Sequence, residues 1–230
     1  LWKDFPERLR KATGLGCFVY SRAGYGRSDP AKLPLRPSYL HEQAAVLEQL
    51  LAHFEIQQPI LVGHSDGATI ALIYAGSLMH PAPLKVIVEA PHVFVEAAAL
   101  TGIHATEERF KQGRLRATLR QFHGDKSDDT FRAWSGAWQS PEFRDWNIKA
   151  LLPAITSPVL IVQGTEDEYA TLAQVDAIAE SVGGPVETAI LEGCRHIPHQ
   201  QRTHDTLSIM KNFIVTSPSA LAAGGPVVPR

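Results

Sequence analysis

One pentapeptide carries the clearest chemical signal in the sequence. Residues 63–67 read Gly-His-Ser-Asp-Gly and stand between an apolar run, 59–62, and a stretch with helical spacing that begins near Ala68. A serine on a tight turn from strand to helix projects its hydroxyl from the sheet edge. The pattern predicts that Ser65 is a nucleophile and that the backbone N–H of Asp66 binds an oxyanion. The alternative is a plain glycine-rich turn in which Ser65 caps the helix.

A serine hydroxyl is a weak nucleophile at neutral pH, so this prediction requires a histidine base and a carboxylate that orients the histidine. Both residue types occur later, each just after an apolar run. Asp167 follows the run 158–163, and His196 follows the run 186–191. Because parallel strands end at the same sheet edge, we expect Ser65, Asp167 and His196 to form a catalytic triad there.

Each of these assignments has local alternatives. His199 competes with His196 for the role of base. Together with Cys194 these two histidines also suggest a metal site, but no second ligand cluster matches them, so we expect no metal and no cofactor. For the acid, three other carboxylates compete with Asp167: Glu89, Glu166 and Glu168.

The elements that position these residues alternate along the chain. Between the first two apolar runs, apolar residues recur at steps of three and four from Leu40 to Phe54, which predicts a helix that Ser38 caps. The spacing predicts further helices over 68–78, 171–181 and 204–215. Five apolar runs predict strands buried on both faces of a sheet: 17–20, 59–62, 84–89, 158–163 and 186–191. The fold class is therefore α/β, with a doubly wound, mostly parallel sheet.

A long segment, 97–156, interrupts this alternation. It has helical spacing and many aromatic residues, among them Trp134 and Trp138. Large aromatic side chains need a surface that covers them, so we predict a helical cap over the site. We expect His64, Trp134 and Trp138 to contact the substrate. The predicted domains are a discontinuous core, the helical cap and a disordered tail: 1–96 with 157–216, 97–156, and 217–230.

Composition restricts the partners. The chain has 230 residues, 44% of them hydrophobic, and a formal charge of −2, which is enough material for one substantial core. It has no dense run of Lys and Arg, which argues against nucleic acid or a membrane surface and favours a small-molecule substrate. No apolar run reaches the roughly 18 residues of a membrane span. Cys17 and Cys194 are predicted to be free thiols, Cys17 a buried one, which favours a cytoplasmic location. The oligomeric state is not predicted.

The turn after the first apolar run carries a family resemblance. Residues 21–29, Ser-Arg-Ala-Gly-Tyr-Gly-Arg-Ser-Asp, resemble the turn after strand four of α/β-hydrolase-fold proteins, which commonly reads G-x-G-x-S. With the segments 63–67, 164–167 and 193–196, the resemblance extends from about residue 2 to residue 215. It implies a mixed or parallel sheet, a lid after strand six and a serine-type mechanism. Asp66 stands where many relatives carry an uncharged residue, which would disfavour acidic substrates.

The resemblance also indicates what the sequence lacks. The family's His-Gly-type oxyanion loop and the strand before it are expected just ahead of Trp2, and the first residue here is Leu. We therefore expect the natural chain to begin some tens of residues upstream, with an apolar strand and a glycine-containing loop that donates the second oxyanion N–H.

The expected function is hydrolysis of a small ester through an acyl-enzyme intermediate. Ester is the default bond, because proteins of one fold cleave esters, thioesters, lactones, amides and carbon–carbon bonds. One alternative keeps the triad and assigns carbon–carbon hydrolysis or perhydrolysis without a cofactor. The other is a ligand-sensing binding protein of the same fold with negligible turnover.

Overall fold

The computed structural model describes residues 1–216, and the predicted disordered tail 217–230 lies outside them. Its sheet has four parallel strands in the order β1-β2-β3-β4. The strands are β1 (Ile60–His64), β2 (Lys85–Glu89), β3 (Val159–Gly164) and β4 (Val186–Leu191). They correspond to four of the five apolar runs, and the predicted α/β class with a mostly parallel sheet is confirmed.

Helices connect and flank these strands. The helices of residues 1–216 are α1 (Phe5–Thr13), α2 (Tyr39–His53), α3 (Asp66–Gly76), α4 (Ala97–Lys111), α5 (Arg114–His123), α6 (Ser127–Gln139), α7 (Leu172–Ser181), α8 (Pro198–Gln201) and α9 (Thr203–Val215). Three 3₁₀ turns accompany them, at Gly124–Lys126, Pro141–Phe143 and Lys149–Ala154. Within these residues no helix has both the length and the apolar character needed to cross a membrane.

The sheet is covered on both faces, as the doubly wound prediction requires. Side chains alternate along a strand, so Ile87 faces one apolar cluster while Val86 and Val88 face the other. The Ile87 cluster includes α1 and α9, and the opposite cluster includes α2, α3 and α7. The core therefore holds the carboxyl ends of β1, β3 and β4 at one edge of a rigid sheet.

The four predicted helices correspond to α2, α3, α7 and α9. The structure differs at the start of α2, where the Ser38 side chain caps no backbone N–H and its Oγ donates instead to Glu42 Oε1 at 2.7 Å. Phe54, at the end of the predicted stripe, follows the last turn of α2 and is exposed.

The segment between β2 and β3 contains α4, α5 and α6, so the predicted insertion is helical. Its aromatic side chains pack largely on one another. The rings of Phe110 and Phe131 stack with centroids 4.0 Å apart, and Trp138 lies 5.0 Å from Phe143 and 5.7 Å from Trp146. We call residues 97–156 the cap, and its standing as a separate domain stays a prediction.

The strand predicted over 17–20 is wrong. These residues belong to no strand of the described chain, and Phe18 and Val19 are 40% and 55% exposed. Cys17, predicted to be buried, is an exposed free thiol. Apolar composition does not suffice for a strand, because its N–H and C=O groups need a neighbouring strand as partner. The strand and loop expected ahead of Leu1 stay a prediction.

Lys85 ties the sheet to the end of α9. The side chain is buried, and its ammonium group donates to the carbonyls of Phe213, Ile214 and Thr216 at 2.5, 3.1 and 2.6 Å. A helix end leaves carbonyls unpaired, and a cation there is favourable.

We expect Lys85→Met to lower the free energy of unfolding by about 2–3 kcal/mol, because it leaves buried carbonyls unpaired. Urea unfolding measures this loss. The exposed Lys32→Met is the control and should stay within about 0.5 kcal/mol of the parent protein. If both substitutions lowered the free energy of unfolding equally, Lys85 would not have the stabilising role at the end of α9 that we assign to it.

Candidate active site

Ser65 occupies a sharp turn between β1 and α3. Its backbone has φ 54° and ψ −122°, a left-handed conformation that is uncommon outside glycine. Its N–H donates to Glu89 O at 2.9 Å, and its carbonyl accepts from Ala68 N at 2.9 Å and Thr69 N at 3.1 Å. Such strain persists where the surroundings hold it, and functional sites are where it concentrates.

Two glycines permit the close backbone contacts that this turn and its neighbour need. A Cβ on Gly63 would lie 2.1 Å from Gly67 O, and a Cβ on Gly164 would lie 2.2 Å from Cys194 O. Any side chain at either position would push the backbones apart. Gly63 thus lets β1 meet α3, and Gly164 lets the end of β3 meet the loop that carries His196.

Asp167 and His196 form a hydrogen-bonded pair. His196 Nδ1 lies 2.9 Å from each carboxylate oxygen, and Asp167 also accepts from Tyr169 N and Gln163 Nε2, both at 2.8 Å. Burial by itself raises the pKa of Asp167, but the hydrogen bonds from His196, Tyr169 and Gln163 outweigh it and leave the pKa below its ordinary value. An ionised Asp167 orients the ring so that Nε2 is the nitrogen free to react.

The alternative base and acid bind each other. His199 Nδ1 lies 2.7 Å from Glu89 Oε2, and both side chains have no exposed surface. Trp2 stacks on His199 with ring centroids 4.3 Å apart. Glu168 accepts from the Arg195 guanidinium at 2.9 Å. Within residues 1–216 no three His, Cys, Asp or Glu side chains are grouped to hold a metal ion.

Ser65 and His196 line one small cavity under the cap. His92 and Tyr169 lie in the same polar wall. The apolar wall comes from the cap, through Ala99, Ile103, Trp134 and Trp138. Within residues 1–216 no hydrogen bond joins Ser65 Oγ to His196, and such contacts commonly tighten only when substrate binds.

The cavity is small. Its volume is about 20 Å³, and one water molecule requires roughly 10–15 Å³ on this measure. The predicted contact residues Trp134 and Trp138 do reach the wall.

A model of the alpha/beta hydrolase family matches residues 1–208. The chain belongs to this family. It is a hydrolase.

Three similar proteins illustrate the range of this family. The monoglyceride lipase homolog of Monkeypox virus is 22% identical over 226 residues, which cover 91% of this hydrolase and 82% of the relative. Serine hydrolase BPHL of Homo sapiens is 26% identical over 200 residues, which cover 83% of this chain and 66% of the relative. The esterase EaEST from Exiguobacterium antarcticum aligns with a TM-score of 0.69 at 18% identity, covering 93% of this chain and 87% of that chain. This structural likeness shows a shared fold.

His64 does not contact the cavity in this hydrolase, contrary to the prediction of a substrate contact. The ring is buried behind the wall, and its Nε2 donates to His196 O at 2.7 Å. Successive side chains of a strand point to opposite faces of the sheet. At the end of β1 the ring of His64 points toward the loop that carries His196. Burial, and then the charge of His196, hold the pKa of His64 well below its ordinary value of 6.5.

The neutral His64 makes the fold sensitive to acid. The pKa of His64 is lower in the folded protein than in the unfolded chain, so the unfolded chain binds a proton first as the pH falls. The folded protein therefore has its full stability above about pH 6.5 and loses stability as the pH falls toward the folded pKa. We expect the parent protein to lose about 1.4 kcal/mol per pH unit in this range on account of His64. His64→Gln keeps a donor for His196 O and cannot titrate, so its decline should be shallower.

Urea unfolding between about pH 7.5 and about pH 5.5 measures the two slopes. His41→Gln, at an exposed site on α2, is the control and should follow the parent slope. Parallel curves for His64→Gln and the parent protein would show that His64 does not resist protonation.

A polar network that the sequence did not predict surrounds Asp66. Its Oδ2 accepts from Tyr39 OH at 3.0 Å and from Arg22 Nη2 at 3.3 Å, and Trp138 Nε1 donates to the same Tyr39 OH at 3.0 Å. Burial lowers the pKa of Arg22, but the groups of Tyr25 and Asp66 more than offset this and raise it. Arg22 and Asp66 form an ion pair, and the expectation that acidic substrates are disfavoured stays a prediction. Arg22 lies in the turn 21–29 that carries the family resemblance, but nothing in the sequence spacing indicated that Arg22 or Tyr39 would contact Asp66.

Proposed function

We propose that this hydrolase cleaves small carboxylic esters through an acyl-enzyme intermediate on Ser65. One observation carries the proposal. Ser65 and His196 line the same cavity, while buried Asp167 holds His196 Nδ1 and leaves Nε2 for the reacting group. The esterase and lipase names among the similar proteins favour an ester as the bond cleaved.

In the first half of the reaction His196 Nε2 takes the proton of Ser65, and Oγ attacks the ester carbonyl. The carbonyl oxygen becomes an oxyanion and accepts a hydrogen bond from Asp66 N–H, which opens α3 and has no partner within the helix. His196 then protonates the leaving alkoxide, and the acyl group stays on Ser65. Asp167 remains ionised and stabilises the imidazolium.

In the second half water replaces the alcohol. His196 removes a proton from this water, which attacks the acyl carbonyl and forms a second oxyanion at Asp66 N–H. The carbon–oxygen bond to Ser65 then breaks, and His196 returns the proton to Oγ. The products are the carboxylic acid and the free enzyme.

The walls of the cavity indicate the shape of the substrate. The cap contributes Ile103, Trp134 and Trp138, three largely apolar side chains. Burial of apolar surface against them stabilises an alkyl or aryl part of the ester by about 25 cal/mol per Å². These walls favour a small-molecule ester with an apolar part.

Two measurements together test the proposal. Steady-state hydrolysis of p-nitrophenyl butyrate should run over many turnovers, and mass spectrometry should locate a fluorophosphonate adduct on Ser65. A single stoichiometric turnover would favour the ligand-sensing alternative. An adduct on another residue would refute the role of Ser65.

A further inference from the structure

His92 lies in the wall of the active-site cavity and takes no part in the mechanism proposed above. It follows β2 and is 3% exposed. Its carbonyl accepts from Thr69 Oγ1 at 2.6 Å, and the next N–H, of Val93, donates to Gln174 Oε1 at 2.8 Å. The ring stands edge to face with Trp138, with centroids 5.2 Å apart. Backbone and ring are thus held in one orientation.

The surroundings of His92 determine its tautomer. Nε2 lies 3.2 Å from Tyr169 O, and a carbonyl oxygen can only accept, so Nε2 carries the hydrogen. Burial, and then the charge of His196, lower the pKa of His92 and keep the ring neutral. Tyr169 is itself fixed, because its N–H donates to Asp167 Oδ1 at 2.8 Å. Nδ1 of His92 therefore bears a lone pair and no hydrogen.

This lone pair has no partner in the described chain. Within residues 1–216 no protein group donates to His92 Nδ1, although the atom is fully buried. A buried acceptor without a donor is costly, and native structures pair nearly all such atoms. His92 lines the cavity beside Ser65, and a molecule in the cavity is a source of the donor that the described chain does not supply.

We propose that His92 Nδ1 is a specificity-determining acceptor for a hydroxyl or N–H that the substrate carries close to its scissile carbonyl. This inference rests on the proposed ester hydrolysis. The ring centroids of His92 and His196 are 6.0 Å apart, so a substrate that reacts beside His196 also lies beside His92. Ile103 and Trp138 make the adjoining wall apolar. The substrate class is an ester with a hydroxyl or amide N–H close to the scissile carbonyl and an apolar remainder.

Matched pairs of esters test the hydroxyl preference on both sides of the scissile bond. On the acyl side the pair is p-nitrophenyl β-hydroxybutyrate and p-nitrophenyl β-methoxybutyrate. On the alcohol side it is hydroxyethyl butyrate and methoxyethyl butyrate, followed by pH-stat. We expect kcat/KM to favour the hydroxyl member of one pair by about 10-fold or more, because the methoxy member leaves Nδ1 unpaired. Ratios near one in both pairs would overturn the proposal.

Two substitutions separate the acceptor from the structural contacts of the ring. His92→Gln keeps a donor for Tyr169 O but has no acceptor at the Nδ1 position, so the hydroxyl preference should fall to about one. His92→Asn places its amide oxygen near the Nδ1 position and should retain part of the preference. A purely structural role would lower kcat/KM for both members of a pair equally and leave the ratio unchanged, which would refute the acceptor role. Thermal unfolding checks that each variant is folded.

A binding measurement on Ser65→Ala needs no turnover. In its ¹⁵N imidazole spectrum the His92 signals are those missing from the spectrum of the Ser65→Ala/His92→Gln protein. We expect protonated Nε2 and bare Nδ1, with a shift of Nδ1 on addition of ethyl β-hydroxybutyrate and none with ethyl β-methoxybutyrate. A protonated Nδ1, or equal shifts with both esters, would overturn the proposal. Failure to hydrolyse any ester would refute the proposed function, while this spectrum still decides the role of His92.

Discussion

Replacing Ser65 by alanine is expected to lower kcat on p-nitrophenyl butyrate by about 10⁴-fold or more, and His196→Ala should be similarly damaging. The serine is a weak nucleophile without its base, and the base has no proton to take without the serine. The double variant should therefore be little worse than either single variant. Steady-state kinetics of the three proteins measures this non-additivity.

Matched controls separate chemistry from folding. Ser77→Ala, at the exposed end of α3, and His41→Gln, on the exposed face of α2, should retain the parent kcat. Circular dichroism and thermal unfolding of the Ser65 and His196 variants should match the parent protein. Losses that multiply in the double variant would mean that the two residues act independently, which would contradict the proposed mechanism.

The second large effect is expected from Asp167→Asn, which should lower kcat by about 10³- to 10⁴-fold with the fold intact. An asparagine amide at this position donates to Nδ1, so the His196 proton moves to Nε2. That nitrogen then cannot accept the proton of Ser65. The fold should survive, because the amide oxygen of the new side chain can still accept the hydrogen bond that Tyr169 N donates to Asp167 at 2.8 Å.

Glu89→Gln is the matched control for this substitution, since Glu89 is an equally buried carboxylate paired with a histidine. We expect it to lower the free energy of unfolding by about 1–3 kcal/mol through the weakened bond to His199. Its kcat should change less than about tenfold. The reverse pattern, a crippled Glu89→Gln and a mild Asp167→Asn, would transfer the role of the acid to Glu89.

The five apolar runs show how far local sequence carries the fold. Buried parallel strands need continuous apolar sequence, and four runs became β1 to β4 for that reason. The run 17–20 has the same composition but no strand lies beside it in the described residues, so its backbone forms no ladder. Composition selects segments that can be strands, and pairing decides which of them are.

For the base and the acid of the site, the sequence left open which histidine pairs with which carboxylate. Two histidines and four carboxylates satisfied the spacing, and in the fold two of the carboxylates pair with the histidines, as His196–Asp167 and His199–Glu89. His64 showed the same ambiguity, because its place next to Ser65 suggested substrate contact whereas its ring turns to His196 O.

By itself the sequence determined that a serine would stand on a turn between strand and helix, with an acid and a histidine in loops at the same sheet edge. These features are local, since they depend on apolar runs, glycines and chain order. Only the tertiary structure decided which nitrogen meets which oxygen, and that His92 Nδ1 is buried without a donor in the described residues. A hydrogen bond forms only when two atoms from distant segments come within about 3 Å in the right direction, and that distance is set by packing rather than by spacing along the chain.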